Sequence, residues 1–186
     1  MKVTVYCGSS SGNKTEYIEQ TKVLGKFLAQ NKIDIVYGGG RVGLMGTIAD
    51  CVLEHGGKVY GVIPEKLKEK ELAHTGVTDL KIVKNMHERK AVMAEMADAF
   101  ITLPGGAGTL EEIFEAWTWA QLGYHNKPCA FYNIDGFYDE LFMMIEKMTK
   151  TGFLKKEYYS MLINTSNIED LIFSIKNYKA PKEKWD

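Results

Sequence analysis

The stretch Ala99–Glu112 reads AFITLPGGAGTLEE. Its first five residues are mostly apolar, which is typical of a strand that is covered on both faces of a sheet. A glycine-rich loop, Pro104–Thr109, follows, and a helix is predicted to begin at about residue 110. Because glycine lets the backbone approach a ligand and a helix N-terminus attracts anions, this strand–loop–helix unit predicts a phosphate-type site.

The same alternation of apolar and amphipathic segments extends over the whole chain. It predicts a doubly wound, Rossmann-like α/β fold with a parallel sheet, as one domain over residues 1–178 with a polar tail at 179–186. Strands are predicted at Val3–Cys7, Ile33–Tyr37, Lys58–Ile63, Leu80–Val83, Ala99–Leu103 and Pro128–Asn133, with a weaker strand at Met161–Asn164. Helices are predicted at about 14–30, 44–55, 86–97, 110–122, 137–150 and 168–177.

Length and composition exclude several classes of protein. The 186 residues fit one domain, and 45% hydrophobic with 25% charged residues excludes a disordered chain. A net charge of −1 gives no general electrostatic reason to bind nucleic acid or an anionic membrane. The three cysteines form no C-x-x-C pair, and the sequence contains neither a secretory signal nor a membrane-length apolar run. We therefore expect a cytoplasmic protein with no membrane span.

Two further glycine-rich loops follow predicted strands, at Gly8–Gly12 and Gly38–Gly43. The carboxyl ends of parallel strands share one edge of the sheet, so all three loops are expected at the edge where such sheets bind ligands. Gly38–Gly43 contains the G-x-G-x-x-G dinucleotide fingerprint, but no acidic residue ends the next strand. Leu44 also stands where a Walker A loop has lysine. These departures disfavour NAD and ATP as ligands.

The pair Thr109 and Glu112 has two compatible interpretations. Thr109-x-x-Glu112 has the spacing of a capping box, in which the two side chains stabilise the start of a helix. In the second interpretation, Glu112 is also a functional carboxylate. A carboxylate one helical turn from a phosphate loop would lie near the sugar that is attached to that phosphate.

A second charged segment contains Arg89 and Lys90. Asn85 and Glu88 have the spacing of a helix cap, which places the two cations near the positive end of a helix, where they are mildly unfavourable. They either belong to a solvated face or form a cationic wall that faces a phosphorylated ligand. No metal site is expected, because no metal-ligand spacing is found among His55, His74, His87 and His125.

Four segments, taken in order, resemble the LOG ("Lonely Guy") family of cytokinin-activating phosphoribohydrolases, over about Val3–Ile168. The resemblance implies hydrolysis of the N-glycosidic bond of a nucleoside 5′-monophosphate, either AMP or an N6-modified AMP. It also implies a homodimer or higher oligomer that uses no metal or organic cofactor. The segments are Cys7-Gly8-Ser9-Ser10, Gly38-Gly39-Gly40-x-x-Gly43-Leu44-Met45-Gly46, Met86-His87-x-Arg89-Lys90 and Pro104-Gly105-Gly106-x-Gly108-Thr109-x-x-Glu112.

The resemblance also implies which residues form the site. Arg89 and Glu112 match the catalytic pair of the family. Ala107 stands where an aromatic residue is common, so the lining beside the phosphate differs from that of many relatives. Together with the glycine loops, the predicted substrate-binding set is Ser9, Gly39, Gly40, Glu71, Arg89, Lys90, Gly105, Gly106, Ala107, Gly108, Thr109, Leu110, Glu111, Glu112 and Thr118.

Side-chain chemistry suggests how these residues act. Glycosidic cleavage develops positive charge at the anomeric carbon, where Glu112 is expected to act as stabiliser, base or nucleophile. We expect Arg89 to hold the ribose or the phosphate and to keep Glu112 ionised by pairing with it. Trp117 and Trp119 point to different faces of one helix, so we expect a second subunit to cover one of those faces.

Other classes of protein stay open at this point. A nucleotide or molybdenum-cofactor carrier would need the glycine loops but not the Arg89–Glu112 pair. The net charge of −1 disfavours a DNA-handling Rossmann protein, and the missing acidic residue disfavours a nicotinamide dehydrogenase. Proteins of the LOG type have also been labelled lysine decarboxylases, but no lysine stands in a recognisable pyridoxal-phosphate context.

Overall fold

A computed structural model of the protein describes residues 1–68 and 73–181. In this part of the chain, seven strands form one sheet in the order β4-β3-β2-β1-β5-β6-β7, and every neighbouring pair is parallel. The strands are β1 (Lys2–Tyr6), β2 (Asp34–Tyr37), β3 (Val59–Pro64), β4 (Asp79–Val83), β5 (Ala99–Thr102), β6 (Cys129–Tyr132) and β7 (Leu162–Thr165). The predicted doubly wound, Rossmann-like fold is confirmed.

Helices connect these strands. They are α1 (Thr15–Gln30), α2 (Gly43–Glu54), α3 (Glu65–Lys68), α4 (Met86–Met96), α5 (Ala107–Gln121), α6 (Asp139–Lys150), α7 (Lys156–Tyr159) and α8 (Ile168–Lys176), with a 3₁₀ turn at Ile134–Gly136. The sequence did not predict α3 and α7, because four residues are too few to show a helical period. The predicted start of α5 at about residue 110 is wrong, since this helix begins at Ala107. Residues 182–186 of the predicted tail lie outside the described residues.

Both faces of the sheet are covered. In β1, Val3 and Val5 belong to a core shared with α1, α2 and α8, whereas Tyr6 belongs to the opposite core, shared with α4, α5 and α6. Thr4, on the same side as Tyr6, donates its hydroxyl hydrogen to the Met93 carbonyl oxygen of α4 at 2.9 Å. Burial on both faces explains why the strands are nearly continuous apolar runs.

The centre of the sheet is a topological switch point. From β1, the chain adds β2, β3 and β4 on one side and then β5, β6 and β7 on the other. The connections diverge at β1 and β5, which leaves a crevice at the carboxyl ends of these two strands.

The three glycine-rich loops meet at this crevice, as predicted. The Gly8 N–H donates to the Pro104 carbonyl oxygen at 3.0 Å, and the Leu44 N–H donates to the Gly8 carbonyl oxygen at 3.1 Å. Gly43 has φ +58°, and a Cβ there would lie 2.4 Å from the Ser9 carbonyl carbon. Only glycine fits at position 43, because any side chain would collide with the backbone of the neighbouring loop.

Two further sequence predictions can be compared with the described residues. All three cysteines are buried and free, which agrees with the expected lack of a disulfide framework. Among the helices of the described ranges, none is both long enough and apolar enough to cross a membrane.

Candidate active site

A cavity of about 390 Å³ opens at the crevice between β1 and β5. The start of α5 lines this cavity, and so does Arg89 at the start of α4. The predicted site residues that line the cavity are Ser9, Arg89, Gly106, Ala107, Gly108, Thr109, Glu111 and Glu112. The described residues that line it without having been predicted as site residues are Val5, Cys7, Gly8, Gly38, Met45, Leu67 and Met86.

The N-terminus of α5 presents backbone N–H groups at the cavity. Gly106 is the N-cap residue and supplies no side-chain hydrogen bond, and Gly106, Ala107 and Gly108 are exposed. Thr109 is therefore the third residue of the helix rather than its cap, so the capping-box interpretation of Thr109 and Glu112 is wrong. Because N–H groups of a first helical turn have no acceptor inside the helix, this end of α5 attracts an anion.

The side chain of Thr109 helps to shape this loop. Thr109 is buried, and a Cβ placed at Gly105 would lie 2.1 Å from the Thr109 Oγ1 atom and 2.9 Å from the Gly8 backbone nitrogen. Glycine at position 105 thus allows the phosphate-type loop to pack against both the first glycine loop and the first turn of α5.

Arg89 brings a positive charge to the cavity. Its residue exposure is only 6%, so the interpretation as a solvated face is wrong for this side chain. The guanidinium donates from Nη2 to the Gly38 carbonyl oxygen at 3.2 Å and contacts Met86 Sδ at 3.6 Å from Nη1. The buried Nε has no hydrogen-bond partner among the described residues. A buried cation with unused donors favours an anionic ligand.

The start of α4 fixes the position of Arg89. Asn85 Oδ1 accepts a hydrogen bond from the Glu88 N–H at 2.9 Å, and the Glu88 carboxylate accepts one from the Lys84 N–H at 2.8 Å. The predicted cap formed by Asn85 and Glu88 is therefore confirmed. It begins the helix at Met86, which places Arg89 in the first turn at the edge of the cavity.

The charges of Arg89 and Glu112 both influence the pKa of Cys7, which directly follows β1. Burial raises the pKa of the Cys7 thiol, the negative charge of Glu112 raises it further, and the positive charge of Arg89 opposes this increase. The two charged groups therefore lie near the same buried thiol. The expected pairing of Arg89 with Glu112 stays a prediction.

Lys90 is not among the described residues that line the cavity. Its exposure is 7%, and its ammonium forms ion pairs with Glu111 and, at 2.9 Å, with Glu115. Burial lowers the pKa of Lys90, but the hydrogen bonds and charges of these two carboxylates outweigh burial and raise the pKa above its ordinary value. The solvated-face interpretation is therefore wrong for Lys90 as well.

Several predicted site residues lie elsewhere. Gly39 accepts a hydrogen bond from the His74 N–H at 2.9 Å, and Gly40 pairs with Ala73, so the segment 73–74 covers both glycines. Thr118 is exposed, and its hydroxyl donates to the Phe114 carbonyl oxygen at 2.7 Å. Gly105 lines an adjoining cavity of about 330 Å³, and Leu110 lines a surface pocket with Phe114. Glu71 lies outside the described residues.

The sequence contains signals for some of the cavity-lining residues that were not predicted as site residues. Cys7, Gly8 and Gly38 follow strand ends directly, so their position at the ligand edge could have been inferred from the topology. Leu67 lies on the short helix α3, which has no detectable period. In the described ranges, no three His, Cys, Asp or Glu side chains are grouped so that they could hold a metal ion.

The fold and the site together define a class of protein. It is a Rossmann-like α/β protein that presents a helix N-terminus and a buried arginine to an anionic ligand, with the carboxylate of Glu112 in the same cavity.

Comparison with known proteins places the chain within a family. The family model described as "Possible lysine decarboxylase" matches residues 45–175. The cytokinin riboside 5'-monophosphate phosphoribohydrolase of Rhodococcoides fascians is 47% identical over 176 residues, which are 94% of this chain and 89% of that protein. The rice (Oryza sativa subsp. japonica) protein LOG, which has the same activity name, is 44% identical over 188 residues, or 100% and 78% of the two chains. The chain belongs to the LOG family, as its motifs predicted.

Solved structures share the fold at lower identity. The molybdenum cofactor carrier protein of Chlamydomonas reinhardtii superposes with a TM-score of 0.70 at 16% identity, covering 94% of this chain and 95% of that one. The molybdenum cofactor binding protein of Rippkaea orientalis gives a TM-score of 0.71 at 20% identity, covering 94% of each chain. At such identities the likeness is evidence for the fold alone.

The contact between Gly38 and Arg89 gives a prediction. A Cβ at Gly38 would lie 2.0 Å from Arg89 Nη2, so Gly38→Ala should displace the guanidinium, which is the far end of a flexible side chain. We expect calorimetry with AMP to show affinity reduced by about 10–100-fold, the range for loss of one charged hydrogen bond. Arg89→Ala should cause a similar loss.

The melting temperature provides the control for this prediction. Gly38→Ala should melt within a few degrees of the wild type, whereas Gly43→Ala, which collides with backbone 2.4 Å away, should melt much lower. Unchanged AMP affinity in Gly38→Ala would show that the position of Arg89 does not govern anion binding.

Proposed function

We propose that this protein hydrolyses the N-glycosidic bond of adenosine 5′-monophosphate or its N6-modified forms, releasing the free base and ribose 5-phosphate. The observation that carries the proposal is the buried guanidinium of Arg89, which lines one cavity together with the N-terminus of α5 and Glu112. The relatives named as cytokinin riboside 5'-monophosphate phosphoribohydrolases support the same substrate class.

The phosphate would bind at one end of the cavity. The first-turn N–H groups of α5 and the donors of Arg89 are matched to phosphate oxygens. Glu112 follows Ala107 by five residues, or about 7.5 Å along the helix axis at 1.5 Å per residue. This offset supports a role for the carboxylate at the sugar and its glycosidic bond rather than at the phosphate.

Glu112 would act on the charge that develops at the anomeric carbon. As the bond to the base breaks, the sugar becomes oxocarbenium-like, and a nearby carboxylate stabilises it, orients a water molecule or attacks it. All three roles require the negative charge of Glu112. Arg89 stays protonated throughout, so it would bind and orient the substrate rather than transfer a proton.

The first test compares AMP with adenosine. Because the phosphate is remote from the reacting bond, its binding energy serves to position the sugar. We expect chromatography to detect free adenine from AMP with a kcat/KM at least about 100-fold higher than that for adenosine, since charged hydrogen bonds contribute about 1.5–3 kcal/mol each. Similar kcat/KM values for the two substrates would contradict the proposal, and binding of AMP without release of base would favour a carrier.

The second test removes the charge of Glu112. Since Gly106 caps α5, Glu112→Gln should melt within a few degrees of the wild type. Its kcat should fall by about 10²–10⁴, the range for a positioned catalytic group. Glu146→Gln is the control, because this exposed carboxylate pairs with Lys150 on the surface of α6. A variant of Glu112 that keeps more than about a tenth of wild-type kcat would remove Glu112 from the catalytic role.

We further propose that the protein works as a homodimer. Trp117 is buried and donates its indole N–H to the Tyr158 carbonyl oxygen at 3.1 Å, whereas Trp119 is half-buried and Tyr124 is 76% exposed. Trp119 and Tyr124 line a surface groove whose other lining residues are Ala91, Ala94, Glu95, His125 and Lys127. An exposed aromatic groove of this kind favours a protein interface.

A cytoplasmic location also stays a prediction.

Light scattering tests the dimer. At micromolar concentration we expect a mass of twice the 21.0 kDa chain. Tyr124→Glu should shift the mass toward that of a monomer, because it would replace an exposed aromatic contact surface of the groove with a charge that is costly to bury. Phe153→Glu, at an exposed aromatic residue outside this groove, is the matched control and should leave the mass unchanged. A wild-type protein of monomeric mass would contradict the proposal.

A further inference from the structure

The ammonium group of Lys90 connects α4 to α5 beside the cavity. Lys90 follows Arg89 in α4, and its two partners, Glu111 and Glu115, are both in α5. Glu111 precedes Glu112 in the sequence. Arg89 and Glu112, the two residues assigned to the reaction, are thus adjacent in sequence to Lys90 and Glu111. Lys90 and Glu111 form an ion pair with each other.

The geometry of α5 makes this connection specific. Residues four apart on a helix lie on the same face, so the carboxylates of Glu111 and Glu115 can reach one cation together. The side chain of Lys90 is 8% exposed, whereas those of Glu111 and Glu115 are 55% and 28% exposed. A buried ammonium needs such partners, because an unpaired buried charge is strongly unfavourable. Lys90 is therefore held in one position between the two helices.

Lys90 lies next to the cavity lining in the described residues. Arg89, Glu111 and Glu112 line the cavity, and Lys90 and Glu115 are not among the described residues that do so. The ammonium of Lys90 contacts the lining through its ion pair with Glu111. Its contacts fit a structural connection better than a direct contact with the ligand.

We propose that Lys90 and Glu115 are positioning residues, which hold α4 against α5 so that Arg89 and Glu112 face each other across the cavity at the separation that the reaction needs. The proposal rests on the proposed function. It assigns a role to Glu115, and it assigns Lys90 to the alignment of the catalytic pair. Small displacements of catalytic groups are costly, with about 100-fold loss of rate for a shift of 1 Å.

A double-mutant cycle tests this arrangement. The variants are Lys90→Met, Glu115→Gln and the double variant, each assayed for adenine release from AMP. We expect each single change to lower kcat by about tenfold or less, with KM changed less than twofold, because alignment rather than binding is lost. The double variant should be no slower than Lys90→Met, since Lys90→Met already removes the ion pairs with both carboxylates. Glu146→Gln, which removes an exposed ion pair on α6, should leave kcat unchanged.

Each outcome has a distinct meaning. An increase of KM in Lys90→Met with kcat unchanged would make Lys90 a substrate contact, and additive effects on kcat would show that Lys90 and Glu115 act independently. Either result overturns the positioning role while the proposed function stands. A wild-type protein that releases no base overturns the proposed function itself. If Lys90→Met does not fold, Glu115→Gln and Glu115→Asp, at a partly exposed side chain, still test the split between kcat and KM.

Discussion

The site depends on the close approach of three backbone loops at the carboxyl ends of β1, β2 and β5. The loop after β1 is hydrogen-bonded both to Pro104 in the loop after β5 and to Leu44 at the start of α2. Side chains would keep these segments apart, and at Gly43 and Gly105 they would collide with backbone atoms. Glycine at these positions lets the loops merge into one surface, from which the N-terminus of α5 is presented to the cavity.

Charge gives this surface its chemistry. Two adjacent cations at the start of α4 point in different directions from the helix. Arg89 lines the cavity, and Lys90 pairs with two carboxylates of α5. The burial of both is unfavourable unless each finds partners. The ammonium of Lys90 pairs with two carboxylates, and the guanidinium of Arg89 contacts a carbonyl oxygen and a thioether. The buried Nε of Arg89 is a donor that a phosphorylated ligand could use.

The comparisons separate the fold from the chemistry. Molybdenum cofactor carrier proteins share the architecture with TM-scores near 0.70, yet relatives at about 45% identity are named as phosphoribohydrolases. Glycine loops at a switch point serve any ligand with a phosphate, so they do not select a reaction. The proposed function assigns this selection to a few side chains around the loops, above all Arg89 and Glu112.

The sequence alone determined the order of strands and helices, the edge at which ligands bind and the family. Apolar runs, glycine loops and the Asn85 cap are local signals, because each reflects the conformation of a few consecutive residues. The predicted start of α5 was three residues too late, because Thr109 and Glu112 have the spacing of a capping box. In the structure Gly106 is the N-cap residue, so the helix begins at Ala107. Only the tertiary structure decided that Lys90 faces Glu115, that Gly39 and Gly40 are covered, and that Arg89 donates to Gly38. Those contacts join residues that are distant in the chain, and their partners depend on how helices pack across the sheet rather than on any periodic pattern.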